Sequence, residues 1–113
     1  MNNRRRTNAA TFAIAGTALT LLCAPAMSVA APDAAALATK YNCQACHSAD
    51  KKIVGPSYKE IAAKYAGDSG AATKLEQKVK SGGSGVWGAI PMPPNNVPDA
   101  DLKVLVQWIL ATK

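Results

Sequence analysis

The 113-residue chain is poor in several residue types that large classes of protein need. It has one histidine, His47, so no second imidazole is available for acid–base catalysis. Its longest apolar stretch, residues 9–22, is shorter than the ~20 residues that cross a bilayer. Strand-like alternation and internal repeats are also lacking, which argues against a βαβ fold and against a repeat protein. These absences point to one small helical domain.

The N-terminal 30 residues have the pattern of a secretory signal. Arg4, Arg5 and Arg6 supply the positive end, residues 9–22 the apolar region, and Ser28-Val29-Ala30 the small residues before a cleavage site. We therefore expect residues 1–30 to be cleaved and residues 31–113 to form a periplasmic domain without stable membrane insertion. An uncleaved membrane anchor is the alternative.

Two other export routes are weaker interpretations of the same segment. Lipid attachment at Cys23 would need a small residue before it, but Leu22 stands there. The arginine run also resembles a twin-arginine signal, but we prefer the general secretory route, which exports the chain unfolded. Once the three arginines are removed with residues 1–30, the chain has ten lysines and seven acidic residues, which gives a net charge of +3. That is too low for a nucleic-acid binder.

The sequence Cys43-Gln44-Ala45-Cys46-His47 carries the chemistry. Two cysteines three apart followed by histidine are typical of covalent attachment of haem c. On one helical turn both thiols can reach the haem vinyl groups, and His47 can then be the axial ligand of the iron. A zinc site would need a fourth ligand, a thioredoxin-type site would need a βαβ unit, and a structural disulfide would leave His47 unexplained.

Residues 82–98 form a long irregular segment rich in glycine and proline. Loops of this length are often functional. Met92, the only methionine outside residues 1–30, lies in Pro91-Met92-Pro93-Pro94 and so cannot be in a helix interior. A lone methionine is usually core filler. A stiff loop that presents one thioether is nevertheless what a second axial ligand of haem iron requires, so we predict that role for Met92.

Helical periodicity predicts an all-α fold of four to five short helices. We expect helices over residues 33–42, from Tyr58 to about Gly67, from an Asp68-Ser69 cap to about Lys80, and from about Asp99 to Thr112, the last packing across the first. Ser57 and Glu60 form a predicted capping box. A chain of 83 residues is close to the lower limit for an independent core, so the haem would serve as part of it.

Gly55-Pro56 precedes the second helix. A histidine that binds iron usually donates its other N–H to a carbonyl or carboxylate, and the Pro56 carbonyl is one candidate. A proline at this place is also explained as the start of a helix. The residues alone leave both interpretations open and favour the second.

The chain resembles the small bacterial class I cytochromes c of the c-551 type. The resemblance rests on the 43–47 motif and on the stretches Val54-Gly55-Pro56-Ser57-Tyr58-Lys59 and Gly85-Val86-Trp87-Gly88-Ala89-Ile90-Pro91-Met92-Pro93-Pro94-Asn95. It implies one haem c, axial His47 and Met92, the Pro56 carbonyl as the partner of His47, Trp87 near a propionate, and Asn95 near the Met92 sulfur.

Three residues depart from what the resemblance implies. Lys78 stands where an arginine often contacts a propionate, and a point charge is not a bidentate fork. Ala38 replaces a phenylalanine, which suggests looser packing against Trp108. Pro98 replaces a serine that caps the last helix.

The function predicted from these residues is a soluble periplasmic monohaem carrier of single electrons between respiratory redox proteins. It would be a monomer that meets its partners briefly at the haem edge. Two rivals are a haem enzyme of peroxidase or oxidase type and a sensor in which a gas displaces Met92. Both need an open iron position, which the pair His47 and Met92 would fill.

Overall fold

The longest helix, α4, is the element against which the others pack. The computed structural model describes residues 32–113 and Gly16, so the predicted signal peptide lies outside the described residues. Helix α4 spans Asp99–Leu110 and contacts the other three α-helices. Leu102, Leu105 and Val106 are its buried residues. The predicted packing of this helix across the first is confirmed.

The first helix, α1 (Ala34–Lys40), brings the chain to the Cys43 turn. Asp33 caps it, since the carboxylate accepts a hydrogen bond from the Ala35 N–H at 3.0 Å. The helix ends two residues before the predicted boundary because Asn42 adopts a left-handed conformation, with φ of 57°. A single 3-10 turn, Cys43–Ala45, follows directly.

Helix α2 (Tyr58–Lys64) begins with the predicted capping box. Glu60 accepts from the Ser57 N–H at 2.7 Å, and the Ser57 hydroxyl accepts from the Glu60 N–H at 3.1 Å. Gly67, with φ of 77°, lies in the turn that follows the helix rather than at its end.

Helix α3 spans Ala71–Ser81 and ends at Gly82 as expected. The predicted cap at Asp68-Ser69 is wrong by one to two residues, because Gly70 is the N-cap and no side chain bonds to the helix there. The Asp68 carboxylate accepts from the Gly70 N–H at 2.8 Å and so stabilises the turn before the helix.

The buried core lies between α4 and the other helices. The predicted all-α class is confirmed, with four α-helices and one 3-10 turn in the described part of the chain. No helix within residues 32–113 is long and apolar enough to cross a membrane. The core consists mostly of aliphatic side chains: Leu37, Ala38, Tyr58, Ile61, Leu75, Val97, Leu102, Leu105 and Val106.

Candidate functional site

A cleft of about 390 Å³ opens beside the core. Pockets that hold small molecules have volumes of roughly 300–1,000 Å³. Two segments supply most of its lining: residues 43–58, here called the histidine wall, and residues 82–98, here called the methionine loop. All eight site residues predicted from the sequence line this cleft: Cys43, Cys46, His47, Pro56, Lys78, Trp87, Met92 and Asn95.

The two cysteines lie on one tight turn that lines the cleft. The N–H groups of Cys46 and His47 both donate to the Cys43 carbonyl, at 3.2 and 3.0 Å. Cys43 and Cys46 form no disulfide and are half-buried, and burial raises the pKa of the Cys43 thiol. In residues 32–113 no three histidine, cysteine or carboxylate side chains converge as a zinc site would need.

His47 is held in one orientation by the histidine wall. Its Nδ1 lies 2.7 Å from the Pro56 carbonyl oxygen. A carbonyl can only accept, so Nδ1 carries the proton and Nε2 keeps its lone pair. Gly55 packs against the ring, since a Cβ there would lie 2.7 Å from His47 Cε1. The structure therefore brings His47 and Pro56 together, an arrangement that the residues alone had left open.

The Tyr58 ring stacks on the His47 imidazole. The centroids of the two rings are 5.9 Å apart and their planes are inclined by 21°. The Tyr58 ring also packs edge-on against Trp108, with 5.1 Å between the ring centroids. Burial, and to a smaller extent the neighbouring Cys43, raises the pKa of Tyr58 to about 12. Its buried hydroxyl has no hydrogen-bond partner within the described residues. Periodicity marked Tyr58 only as a core position, so its role beside His47 was missed.

The methionine loop is fastened where it leaves α3. Met92 and Gly83 exchange two backbone hydrogen bonds, at 2.9 and 3.0 Å. Gly82 permits this approach, because a Cβ there would lie 2.3 Å from the Met92 carbonyl oxygen. The Asn95 N–H donates to the Val79 carbonyl at 2.8 Å, so Met92 is bonded to Gly83 just after α3 and Asn95 to the last turn of the helix.

The other predicted residues lie around the rim. Lys78 projects from the last turns of α3 and is half-buried, and Trp87 is 37% exposed. The Asn95 amide donates to the Pro93 carbonyl at 2.8 Å, so in this structure it stabilises the turn after Met92. Lys64, which sequence reasoning did not select, places its ammonium 5.2 Å from the Trp87 ring centroid.

The surface around the cleft is unusually apolar. Five large apolar side chains of the described residues are strongly exposed, and four of them line the cleft. The four are Val54, Val86, Trp87 and Ile90. Apolar patches of this kind mark binding sites. A flat apolar group held by two thiols, an imidazole and a thioether fits this lining.

The family of the chain follows from comparison with known proteins. The family model described as Cytochrome c matches residues 31–113. The chain belongs to the cytochrome c family. A cytochrome c-552 of Nitrosomonas europaea is 62% identical over 78 residues, covering 68% of this chain and 76% of that protein. A cytochrome c-551 of Azotobacter vinelandii is 56% identical over 71 residues, covering 63% and 87%.

Solved structures agree with the fold of this cytochrome. The crystal structure of wild-type Nitrosomonas europaea cytochrome c552 matches with a TM-score of 0.68 and 61% sequence identity, covering 70% of this chain and 99% of that one. The predicted resemblance to the c-551 type is therefore confirmed. The chain carries one covalently attached haem c, and Cys43, Cys46 and His47 fit the attachment motif. It is an electron-transfer protein and not an enzyme.

Proposed function

We propose that this cytochrome is a soluble periplasmic carrier of single electrons between respiratory redox proteins, with His47 and Met92 as the two axial ligands. One observation carries the proposal. The sole histidine of the chain and the sole methionine beyond residue 30 line one cleft together with both cysteines, although 45 positions separate His47 from Met92 in the sequence. When bound, the haem supplies an iron that gains and loses one electron.

The histidine wall would hold one side of the group rigidly. Cys43 and Cys46 would form the two thioether bonds, and the Nε2 lone pair of His47 would face the iron. The hydrogen bond from Nδ1 to Pro56 keeps the imidazole in its tautomer and increases the basicity of Nε2. Tyr58 and Gly55 prevent the ring from turning, so the same geometry serves both oxidation states.

The methionine loop would supply the second ligand and exclude water. A thioether favours the reduced iron and raises the reduction potential. The fastening of Met92 to Gly83 keeps the sulfur near its position without any helix around it. We assign Lys78 and Trp87 to the propionate side of the cleft and Asn95 to the neighbourhood of the Met92 sulfur. With both axial positions filled, no site is left for substrate or gas.

The proposal includes the location and the partners. Residues 1–30 would be a cleaved signal that delivers residues 31–113 to the periplasm, supported by the arginine, apolar and small-residue pattern. The partners would be redox proteins that dock transiently at the apolar rim of the cleft, and the carrier would be a monomer. Mass spectrometry of the exported protein and analytical ultracentrifugation test the cleavage site and the monomer.

The absorption spectrum during a potentiometric titration tests the proposed ligands. We expect a low-spin ferric form with a weak methionine-to-iron band at the red end and one reversible one-electron transition. A high-spin spectrum with immediate cyanide binding would support an enzyme-like open site instead. Rapid stoichiometric binding of carbon monoxide by the reduced protein would support a gas sensor. Either result would overturn the proposed pair of ligands.

A further inference from the structure

Lys80 and Asp99 stand at the two ends of the methionine loop. Lys80 is the last residue but one of α3, and Asp99 is the first residue of α4. The Lys80 ammonium donates a hydrogen bond to the Asp99 carboxylate, although the two residues are 19 positions apart in the sequence. This ion pair, here called the loop-end pair, therefore joins the helix that the loop leaves to the helix that it enters.

The loop-end pair lies outside the space that the haem would fill. Neither of its residues lines the cleft, and 47% of the Lys80 side chain and 77% of the Asp99 side chain are exposed. The hydrogen bond from Lys80 is the main cause of a lowered pKa of the Asp99 carboxyl, so both groups are charged at neutral pH. The contact therefore does not depend on which group fills the cleft.

Two backbone links lie between the loop-end pair and the Met92 side chain. The Asn95 N–H donates to the Val79 carbonyl at 2.8 Å, and Met92 exchanges two hydrogen bonds with Gly83. Like the loop-end pair, these links hold the returning part of the loop against the end of α3. Loss of the pair would remove the link that depends on side chains, so the segment that carries Met92 could separate from α3 more often.

The start of α4 lacks a side-chain cap in the described structure. Pro98 is the N-cap residue, and no side chain there accepts a hydrogen bond from the first turn. Of the two carboxylates in that turn, Asp101 accepts from the Tyr41 hydroxyl, whereas Asp99 accepts from Lys80. Asp99 is therefore the carboxylate of this turn that links the end of the loop to α3.

We propose, on the basis of the axial ligation proposed above, that Lys80 and Asp99 are positioning residues whose ion pair slows the dissociation of the Met92 sulfur from the iron. The pair acts through the loop and does not touch the sulfur. Its effect is small, because exposed ion pairs are weak and buried Val97 also anchors this part of the loop. Breaking the pair should increase the rate of dissociation roughly 1.5- to 5-fold.

The binding of free imidazole to the ferric holoprotein tests the proposal. At a large excess of imidazole, the rate of the spectral change reaches a limit set by dissociation of the Met92 sulfur, which stopped-flow absorption measures. Lys80→Gln and Asp99→Asn should each raise that limit. Because each substitution also changes the charge at a helix end, a double-mutant cycle isolates the pair. The product of the two single effects should exceed the effect of the double variant by roughly 1.5- to 5-fold.

Two further measurements separate the ion pair from a general loss of stability. Lys80→Arg and Asp99→Glu preserve the charges, so their dissociation rates should remain close to that of the wild type. Added salt screens exposed ion pairs, so it should accelerate dissociation in the wild type more than in the double variant. Conservative variants that behave like the neutral ones, or equal salt responses of wild type and double variant, would contradict the proposal.

Asp68 and Lys74 form the matched control pair. They are bonded at 2.6 Å and partly exposed, but both precede the loop, and their contact does not span it. A cycle of Asp68→Asn and Lys74→Gln should therefore show no coupling in the imidazole rate. Equal coupling in the two cycles, or none between Lys80 and Asp99, would overturn the role of the loop-end pair alone. A wild-type ferric spectrum without the methionine-to-iron band would overturn the axial ligands, and this proposal with them.

Discussion

The two sides of the cleft are built on different principles. The histidine wall is closed by hydrogen bonds between residues close in sequence, and buried Tyr58 supports it from the core. The methionine loop is anchored at its ends to α3, while Trp87 and Ile90 between those anchors are 37% and 68% exposed. The protein's own contacts thus fix the histidine wall. The other needs an apolar partner to cover it, and we expect the two to respond differently to the same kind of damage.

The largest expected effect comes from removing the attachment of the group that both walls share. In Cys43→Ala/Cys46→Ala we expect loss of sharp melting and of most helical circular dichroism, because so small a core is incomplete without the haem. Gln44→Ala, in the same turn and exposed, is the control that should keep the haem and the fold. Native-like helix content with cooperative melting of the haem-free double variant would contradict this expectation.

Met92→Ala should affect the methionine loop and leave the histidine wall intact. We expect loss of the methionine-to-iron band and a fall in reduction potential on the order of hundreds of millivolts, since axial ligands set potentials over a range of roughly 0.8 V. Haem attachment and the His47 side should persist. Ile90→Ala removes an exposed apolar side chain from the same loop and should keep the band. Retention of the band in Met92→Ala would show that another ligand binds.

Gly82→Ala tests the anchor of the loop. With φ of 66° and ψ of −153°, this residue occupies a region that only glycine adopts readily, and an added Cβ would overlap the Met92 carbonyl. We expect the free energy of unfolding to fall by about 3 kcal/mol, together with a weaker methionine-to-iron band. Denaturant titration followed by absorption measures both.

Gly67→Ala is the matched control for that substitution. Gly67 also has positive φ, 77°, but nothing lies within 4 Å of its Cβ position. A loss of about 1 kcal/mol with an unchanged band is expected. Equal effects of the two substitutions would mean that backbone conformation, and not the contact with Met92, determines the result.

The smallest expected effect concerns a hydrogen bond that joins the end of α1 to α4. The Tyr41 hydroxyl donates to Asp101 at 2.6 Å, and this bond, with the nearby Lys40, holds the pKa of the Asp101 carboxyl below its usual value. A lowered pKa in the folded state contributes stability above the ordinary carboxyl pKa, and this contribution is lost as pH falls through the lowered value. Unfolding measured from pH 6 to pH 3 should show it.

Asp101→Asn should flatten that acid-induced loss of stability. Asp50→Asn, which removes an exposed bridge to Lys59, is the control and should leave the pH profile close to wild type. A wild-type profile in Asp101→Asn would show that the bond between Tyr41 and Asp101 does not contribute to the acid response.

Local patterns in the sequence were sufficient for the helices and for the haem attachment motif. The 43–47 motif, the capping box at Ser57 and the apolar face of α4 each depend on residues within a few positions of one another. The boundaries were less accurate where a short turn decided them. Asn42 ended α1 early, and Gly70, not Asp68, capped α3.

Contacts between distant segments could not be predicted in this way. Met92 was selected because it is unique, but its exchange of hydrogen bonds with Gly83 depends on how the loop returns to α3. Likewise, Lys64 and Trp87 are 23 positions apart, and no periodicity links them. Only the folded chain shows that α2 reaches the loop.

The acceptor that fixes His47 is part of the main chain. Replacing residue 56 would alter the turn but would still leave a carbonyl oxygen at that place, so point mutation cannot delete this acceptor as it could a side chain. The proton on Nδ1 is therefore protected from genetic variation, and adaptation of the redox behaviour to a new partner would have to proceed through the methionine loop and the charges around it.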